Sequence, residues 1–129
     1  MPVRSRGDAV RYYHYTCEHA AEKITAAGVI VPARQPFLLD IHLSWFTPIP
    51  TRDRNALGLT SRSLRCDRME AIFVVDADDA HLIAPWEELK AVADFAPLLP
   101  RARVLESIKG TRPALWAVAG APVRARRLR

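Results

Sequence analysis

The tripeptide His14-Tyr15-Thr16 has the residue types and the placement of a ligand-binding corner. The aromatic run at residues 10–15 is dense in β-formers and alternates well enough to predict a strand. A helix is predicted over residues 17–27, with Thr16 as its N-cap. A histidine between a strand and a helix has a fixed backbone and an exposed ring. It can therefore present one polar group to a ligand.

Two further candidate residues lie on predicted strands. The pattern at residues 41–47 predicts a strand that carries Trp45 on the same face as Leu43 and Thr47. The apolar run at residues 69–76 predicts another strand, which begins beside Glu70. Each candidate also has a structural interpretation: His14 as a surface or hydrogen-bonded core residue, Trp45 as core, and Glu70 as an exposed partner of Arg68.

The basic residues are partly clustered. The chain has 129 residues, 19 of them Lys or Arg, and a net charge of +5. One cluster comprises Arg62, Arg65 and Arg68, and the other lies at residues 124–129. Arginine forks suit phosphate, so both clusters are candidates for binding a nucleotide or a nucleic-acid backbone. The alternatives are a solvated basic surface, a frayed tail, or an arginine excess set by genome composition.

The remaining patterns predict a single α+β domain with a mainly antiparallel sheet and one or two flanking helices. A helix is expected over residues 85–95 and a last strand over residues 113–119, whereas residues 51–67 are expected to form a long loop. We place the domain at residues 1–123 and a basic C-terminal tail at residues 124–129.

Composition excludes several classes of protein. No apolar stretch approaches the roughly 20 residues of a membrane span, so we expect no membrane association. The N-terminus lacks the apolar segment of a secretory signal, which favours the cytoplasm. Cys17 and Cys66 have no metal-like spacing, and a zinc site from His14, Cys17 and His19 would match no usual ligand pattern. We therefore expect reduced cysteines and no metal.

These residues together resemble the ADP-ribosyltransferase superfamily. The resemblance lies in a strand with His-x-Thr, an alanine-rich helix closed by Gly28, and a second strand ending Trp-Phe-Thr. The run Arg-Met-Glu-Ala-Ile-Phe-Val-Val at residues 68–75 is similar to a later strand of those enzymes. Residues 10–85 carry the likeness. The nearest in plan are the small rifamycin-modifying transferases and the DarT-type toxins, and the RNA 2′-phosphotransferases are more distant.

The resemblance implies a fold, a substrate and a set of site residues. The fold would be the split antiparallel sheet of the superfamily, and NAD would be the substrate. His14 would bind the nicotinamide-side ribose, Trp45 (or Phe46) would pack on nicotinamide, and Glu70 would be the catalytic acid. The neighbouring cofactor-binding positions would be Tyr15, Thr16, Thr47 and Arg68. The acceptor of ADP-ribose would be a nucleic acid, a protein or a small molecule.

The chemistry of ADP-ribose transfer requires such a set. The bond between nicotinamide and the anomeric carbon breaks through a cation-like transition state, which a carboxylate beside the ribose stabilises. The chain departs from the family at Trp45, where a tyrosine is usual, and it contains no Gln-x-Glu or Glu-x-Glu motif, which argues against an arginine-targeting toxin. The alternative function is a non-catalytic accessory protein of phage or mobile-element origin that binds nucleic acid or protein.

Overall fold

The computed structural model describes residues 11–51 and 69–128, and within them the chain is α+β with antiparallel sheets. This confirms the predicted class. The strands are β1 (Tyr13–Thr16), β2 (Val29–Ile30), β3 (Ala33–Gln35), β4 (Ile41–Phe46), β5 (Ala71–Val75), β6 (Ala84–Pro85), β7 (Ala117–Ala119) and β8 (Val123–Arg127). The helices are α1 (Glu18–Ala27), α2 (Trp86–Lys90) and α3 (Leu99–Glu106). Short 3₁₀ turns cover Pro36–Leu38, Ala77–Leu82, Ala93–Leu98 and Pro113–Leu115.

The described strands form two four-stranded sheets that meet at one bridge. The first sheet has the order β1-β5-β8-β2 and the second the order β3-β4-β7-β6. Tyr13 and Thr47 exchange both backbone hydrogen bonds at 2.9 Å, which joins the start of β1 to the residue after β4. The histidine of β1 therefore lies next to the line where the two sheets meet.

The first core fills the space between the two sheets and α1. Alternation along β5 turns Ala71, Phe73 and Val75 to this side, and α1 contributes Ala21 and Ile24. The second sheet adds Phe46, Ala117 and Ala119. A second core lies on the other face of that sheet, where Leu43 and Val118 pack against aromatic residues of the α2 and α3 region. The second sheet is thus covered on both faces.

The helix α1 ends as predicted but begins differently. Gly28 adopts φ 75°, and its N–H donates to the carbonyl of Ile24 at 2.7 Å, which is the left-handed C-cap expected from glycine. The prediction of Thr16 as N-cap was wrong, because Thr16 is the buried last residue of β1, paired with Ala71. Cys17 occupies the N-cap position and makes no side-chain capping bond.

The prediction of a helix over residues 85–95 was also wrong in extent, because the observed helix is shorter. α2 ends at Lys90, and Val92 adopts an extended backbone and is 50% exposed. The turn at Val92 lets Phe95 and Leu98 reach the second core, and burial of these two side chains outweighs the helical spacing of residues 89–93. The strand predicted over residues 113–119 is likewise short, since only Ala117–Ala119 pair with neighbouring strands.

The basic tail predicted at residues 124–129 is a strand over most of its length. Val123–Arg127 forms β8, which lies between β5 and β2 inside the first sheet. Val123 is fully buried in the first core and Ala125 packs against it. Alternate residues of this segment are therefore core residues. The number of arginines alone does not indicate this alternation. Within the described residues, no helix is long and apolar enough to cross a membrane.

Candidate functional site

The imidazole of His14 is fixed at the meeting line of the two sheets. Its Nδ1 lies 2.7 Å from the backbone carbonyl of Trp45. Its ring centre lies 5.4 Å from that of Phe46, which belongs to the first core. The strand that carries His14 is held by β5 on one side, where His14 pairs with Phe73. These contacts fix the backbone of His14, the plane of its ring and the partner of its Nδ1.

His14 is neutral at physiological pH. Burial lowers the pKa of His14 below its ordinary value of 6.5, and the hydrogen bond with the Trp45 carbonyl only partly opposes this shift. A carbonyl oxygen can only accept, so Nδ1 carries the proton and Nε2 carries the lone pair. Nε2 makes no hydrogen bond to a described residue. The site therefore offers a ligand a fixed hydrogen-bond acceptor.

Trp45 meets His14 through its backbone and not through its ring. Adjacent residues of a strand face opposite ways, so Trp45 and Phe46 point into different cores. The Trp45 indole packs 5.1 Å from the ring of Trp86 and 5.8 Å, edge-on, from that of Trp116. Its Nε1 donates to Oε1 of Gln35 at 3.3 Å. Phe46, the other aromatic candidate, is the residue whose ring contacts His14.

Glu70 lies at a distance from His14 along the first sheet. It is exposed and precedes β5 by one residue, whereas the partner of His14 is Phe73. Three residues of strand correspond to about 10 Å, and Glu70 itself lies in a bend outside the paired part of β5. The charge of Glu70 instead raises the pKa of Arg127, behind the larger effect of the Glu18 hydrogen bond.

The neighbouring predicted contacts have structural partners. Tyr15 faces away from His14, and its hydroxyl accepts a hydrogen bond from the backbone N–H of Thr51 at 2.9 Å. Thr47 is 1% exposed, and its hydroxyl donates to the carbonyl of Ile49 at 3.0 Å. Thr16 shares the face of His14 but is buried in β1. The structure thus groups Thr16 with His14 and separates Tyr15 from it.

The arginine candidates divide into two groups. Arg62, Arg65 and Arg68 lie outside the described residues. In β8, the Arg124 guanidinium donates to both carboxylate oxygens of Asp79, at 3.1 and 2.9 Å, and Arg127 is paired with Glu18. Arg126 is exposed and forms no ion pair with a described residue.

Sequence reasoning placed Tyr12 on the face of His14 as a packing residue and gave no role to Glu88. Tyr12 shares the face of His14 and packs against the first core. Its backbone carbonyl accepts a hydrogen bond from the N–H of Val75 at 3.0 Å. Burial raises the pKa of the Tyr12 phenol, and the negative charge of Glu88 raises it further. Alternation with His14 was a signal for Tyr12. No local pattern could have indicated the effect of Glu88 on the pKa of Tyr12, because the two residues are distant in the chain.

Among the described residues, no group of three or more His, Cys, Asp or Glu side chains is placed to hold a metal ion. No family model, curated protein or solved structure matches the chain. The site must therefore be interpreted from its own geometry.

Proposed function

We propose that the chain is an ADP-ribosyltransferase-like protein that binds NAD beside His14, where the two sheets meet. The observation that carries the proposal is the neutral imidazole, held through Nδ1 by the Trp45 carbonyl, with the lone pair of Nε2 available. A ribose hydroxyl is a donor that such a nitrogen accepts well. The two antiparallel sheets are compatible with the split sheet of that superfamily, which is part of the same proposal.

The reaction proposed is transfer of ADP-ribose. The bond between nicotinamide N1 and ribose C1′ breaks, and its electron pair leaves with nicotinamide, which departs as a neutral molecule. Positive charge develops on the ribose, and the acceptor adds to C1′ and loses a proton. His14 would contribute by fixing the ribose, because correct orientation of the reacting centre lowers the barrier. The acceptor would be a nucleic acid, a protein or a small molecule.

The experiment that tests this function measures NAD affinity by calorimetry and nicotinamide release by chromatography. We expect the wild type to bind NAD and His14→Ala to lose most of that affinity. His19→Ala is the matched control, because His19 is an exposed histidine on α1. If the wild type does not bind NAD, or if both variants bind it equally well, the proposal is rejected.

The second candidate function is a non-catalytic accessory protein that binds a nucleotide, nucleic acid or another protein. The position of Glu70 favours it, because this exposed carboxylate lies outside β5, three residues along the chain from the partner of His14. The pairing of Arg124 with Asp79 and of Arg127 with Glu18 argues against a β8 surface that binds nucleic acid through these two arginines. NAD binding without nicotinamide release in the wild type would support the accessory function.

A further inference from the structure

One side of α3 faces away from the second core. Ala102 is fully buried, and Leu105 packs against that core. Val104 is two residues after Ala102, which is about 200° around a helix, so its side chain lies on the opposite side. Val104 is 54% exposed. The outer side of α3 therefore carries an aliphatic side chain that the fold does not bury.

Ile108 extends this apolar surface beyond the end of α3. The N–H of Ile108 donates to the carbonyl of Leu105 at 3.4 Å, so the chain continues to turn after the helix. Ile108 follows Val104 by four residues, which is about one turn, and it is 43% exposed. Two exposed aliphatic side chains thus lie next to each other on the surface.

Arg101 borders this surface and connects it to Phe37. Its guanidinium donates to the carbonyl of Phe37 at 3.3 Å and lies 5.9 Å from the centre of the Phe37 ring. Phe37 is 42% exposed. Arg101 precedes Val104 by three residues, so the two side chains are neighbours on the helix. The apolar surface therefore continues from α3 to the 3₁₀ turn that contains Phe37.

Arg103 borders the opposite side of this surface. Arg101 and Arg103 are one residue before and after the buried Ala102, about 100° around the helix in either direction, so they lie on the two sides of Val104. Both arginines are exposed, and neither forms an ion pair with a described residue. We call this surface the α3 face, and its residues are Phe37, Arg101, Arg103, Val104 and Ile108.

The charge around the α3 face is positive. The one carboxylate in residues 99–112 is Glu106, which turns inwards and accepts hydrogen bonds from Lys90 and Trp86. Lys109 and Arg112 follow it in the chain and are exposed. An apolar centre bordered by arginines is typical of a protein–protein interface, in which buried apolar side chains supply much of the affinity and arginine is enriched.

We propose that the α3 face docks an acidic amphipathic segment of a partner protein. Its apolar side chains would cover Val104 and Ile108, and its carboxylates would bind Arg101 and Arg103. An arginine fork binds a carboxylate through two parallel hydrogen bonds. A second copy of this chain fits poorly, because a symmetric contact would bring arginines of like charge together. A nucleic-acid backbone would neutralise the arginines but would leave the apolar centre without a partner.

The proposal does not depend on the proposed NAD-binding function. The α3 helix packs on the second core, whereas the ring of His14 contacts Phe46 of the first core. Binding at the α3 face and binding at His14 can therefore be measured and can fail separately.

The test measures binding of four labelled probes to the full chain by fluorescence anisotropy. The Leu/Glu peptide is a short helical peptide with Leu on one face and Glu on the other. The Ser/Glu peptide replaces its Leu by Ser, the Leu/Lys peptide replaces its Glu by Lys, and the fourth probe is a single-stranded DNA of mixed sequence. We expect the Leu/Glu peptide to bind, and the other three probes to bind at least about tenfold more weakly.

Five variants of the full chain locate the binding. Val104→Ser, Ile108→Ser and Arg103→Gln should each weaken binding of the Leu/Glu peptide about fivefold or more. The matched controls are Val31→Ser and Arg126→Gln, because Val31 is 62% exposed and Arg126 is an exposed arginine of β8, and both lie outside the α3 face. Both controls should bind like the wild type. Thermal unfolding checks that the five variants fold like the wild type.

The contrary outcomes are distinct. Absence of binding of the Leu/Glu peptide to the wild type would overturn the proposal, and so would equally tight binding of the Ser/Glu peptide, because the apolar centre would then be unused. Equal losses in Arg103→Gln and Arg126→Gln would overturn it as well, because they would indicate attraction by net charge alone. Tighter binding of the DNA, weakened by Arg103→Gln and unchanged by Val104→Ser, would assign the α3 face to nucleic acid instead.

Discussion

The indole N–H of Trp86 donates to Oε2 of Glu106 at 2.9 Å, and the same oxygen accepts from the ammonium of Lys90. Trp86 is fully buried, so this donor has no access to water. The pair links α2, which carries Glu88, to α3. The position of α2 on the second core therefore depends on this hydrogen bond.

We expect Glu106→Ala to destabilise the fold by about 1–3 kcal/mol, because it leaves a buried N–H without an acceptor. Glu106→Gln should cost less, since its amide oxygen can still accept. The free energy of unfolding in urea gives both values. Glu87→Ala is the control, because it removes another partner of Lys90 from an exposed position and should cost only about 0–1 kcal/mol. Equal losses in Glu106→Ala and Glu87→Ala would contradict the prediction.

The ion pair between Asp79 and Arg124 should stabilise the protein at neutral pH and lose this effect in acid. Arg124 lowers the pKa of Asp79 to about 2 from 3.8 through side-chain and backbone hydrogen bonds. The folded-state pKa is depressed, so the stabilisation is present above pH 3.8 and is lost as the pH falls towards 2. Asp79→Asn should therefore be less stable than the wild type at pH 7, and this difference should shrink over that interval.

Thermal unfolding of the wild type and Asp79→Asn between pH 7 and pH 2 measures this difference. Asp40→Asn provides the comparison, because Asp40 and Arg34 are both exposed and lie 3.6 Å apart. Its effect should be small throughout, as is usual for surface pairs. A difference for Asp79→Asn that stays constant on acidification would show that the carboxylate charge is not responsible.

Protonation of His14 should destabilise the fold. Its pKa lies below 6.5, so the folded state prefers the neutral ring, whereas the unfolded chain takes up a proton near pH 6.5. The stability that this ring contributes is present above about pH 6.5 and declines as the pH falls through the lowered pKa. The free energies of unfolding of the wild type and His14→Gln should therefore converge on acidification. The other histidines are common to both proteins, so the difference reports His14 alone, and a pH-independent difference would contradict the shift.

The electrostatic effect of Glu88 on Tyr12 can be tested without any ligand. The chain has three tyrosines, so replacing Tyr13 and Tyr15 by Phe leaves Tyr12 as the only phenol. Glu88→Gln in this background should lower the pKa of Tyr12, because the charge that opposes tyrosinate formation is removed. The pKa of Tyr12 is measured from the absorbance of tyrosinate as a function of pH. Glu87→Gln should have a smaller effect, and equal effects of the two variants would place Glu88 no nearer than its neighbour.

The sequence by itself determined the local elements whose causes are local. Alternation and β-formers at residues 71–75 are sufficient for β5, and the left-handed preference of Gly28 ends α1 where it was expected. The α+β class followed from such elements. His14 was placed correctly on β1, because a strand position depends on its neighbours in the chain.

Only the tertiary structure decided which side chains share a face. The register of β1 on β5 sets His14 opposite Phe73, and a shift of one residue would have turned every side chain of the strand over. Which of Trp45 and Phe46 turns its ring towards His14 was decided in the same way, by which core each ring enters. β8 became an interior strand because Val123 and Ala125 could be buried between β5 and β2, and that burial depends on partners about 50 and 95 residues earlier in the chain. The charge of Glu88 acts on the pKa of Tyr12 for the same reason, since the arrangement of residues distant in the chain is set by packing, which no short pattern encodes.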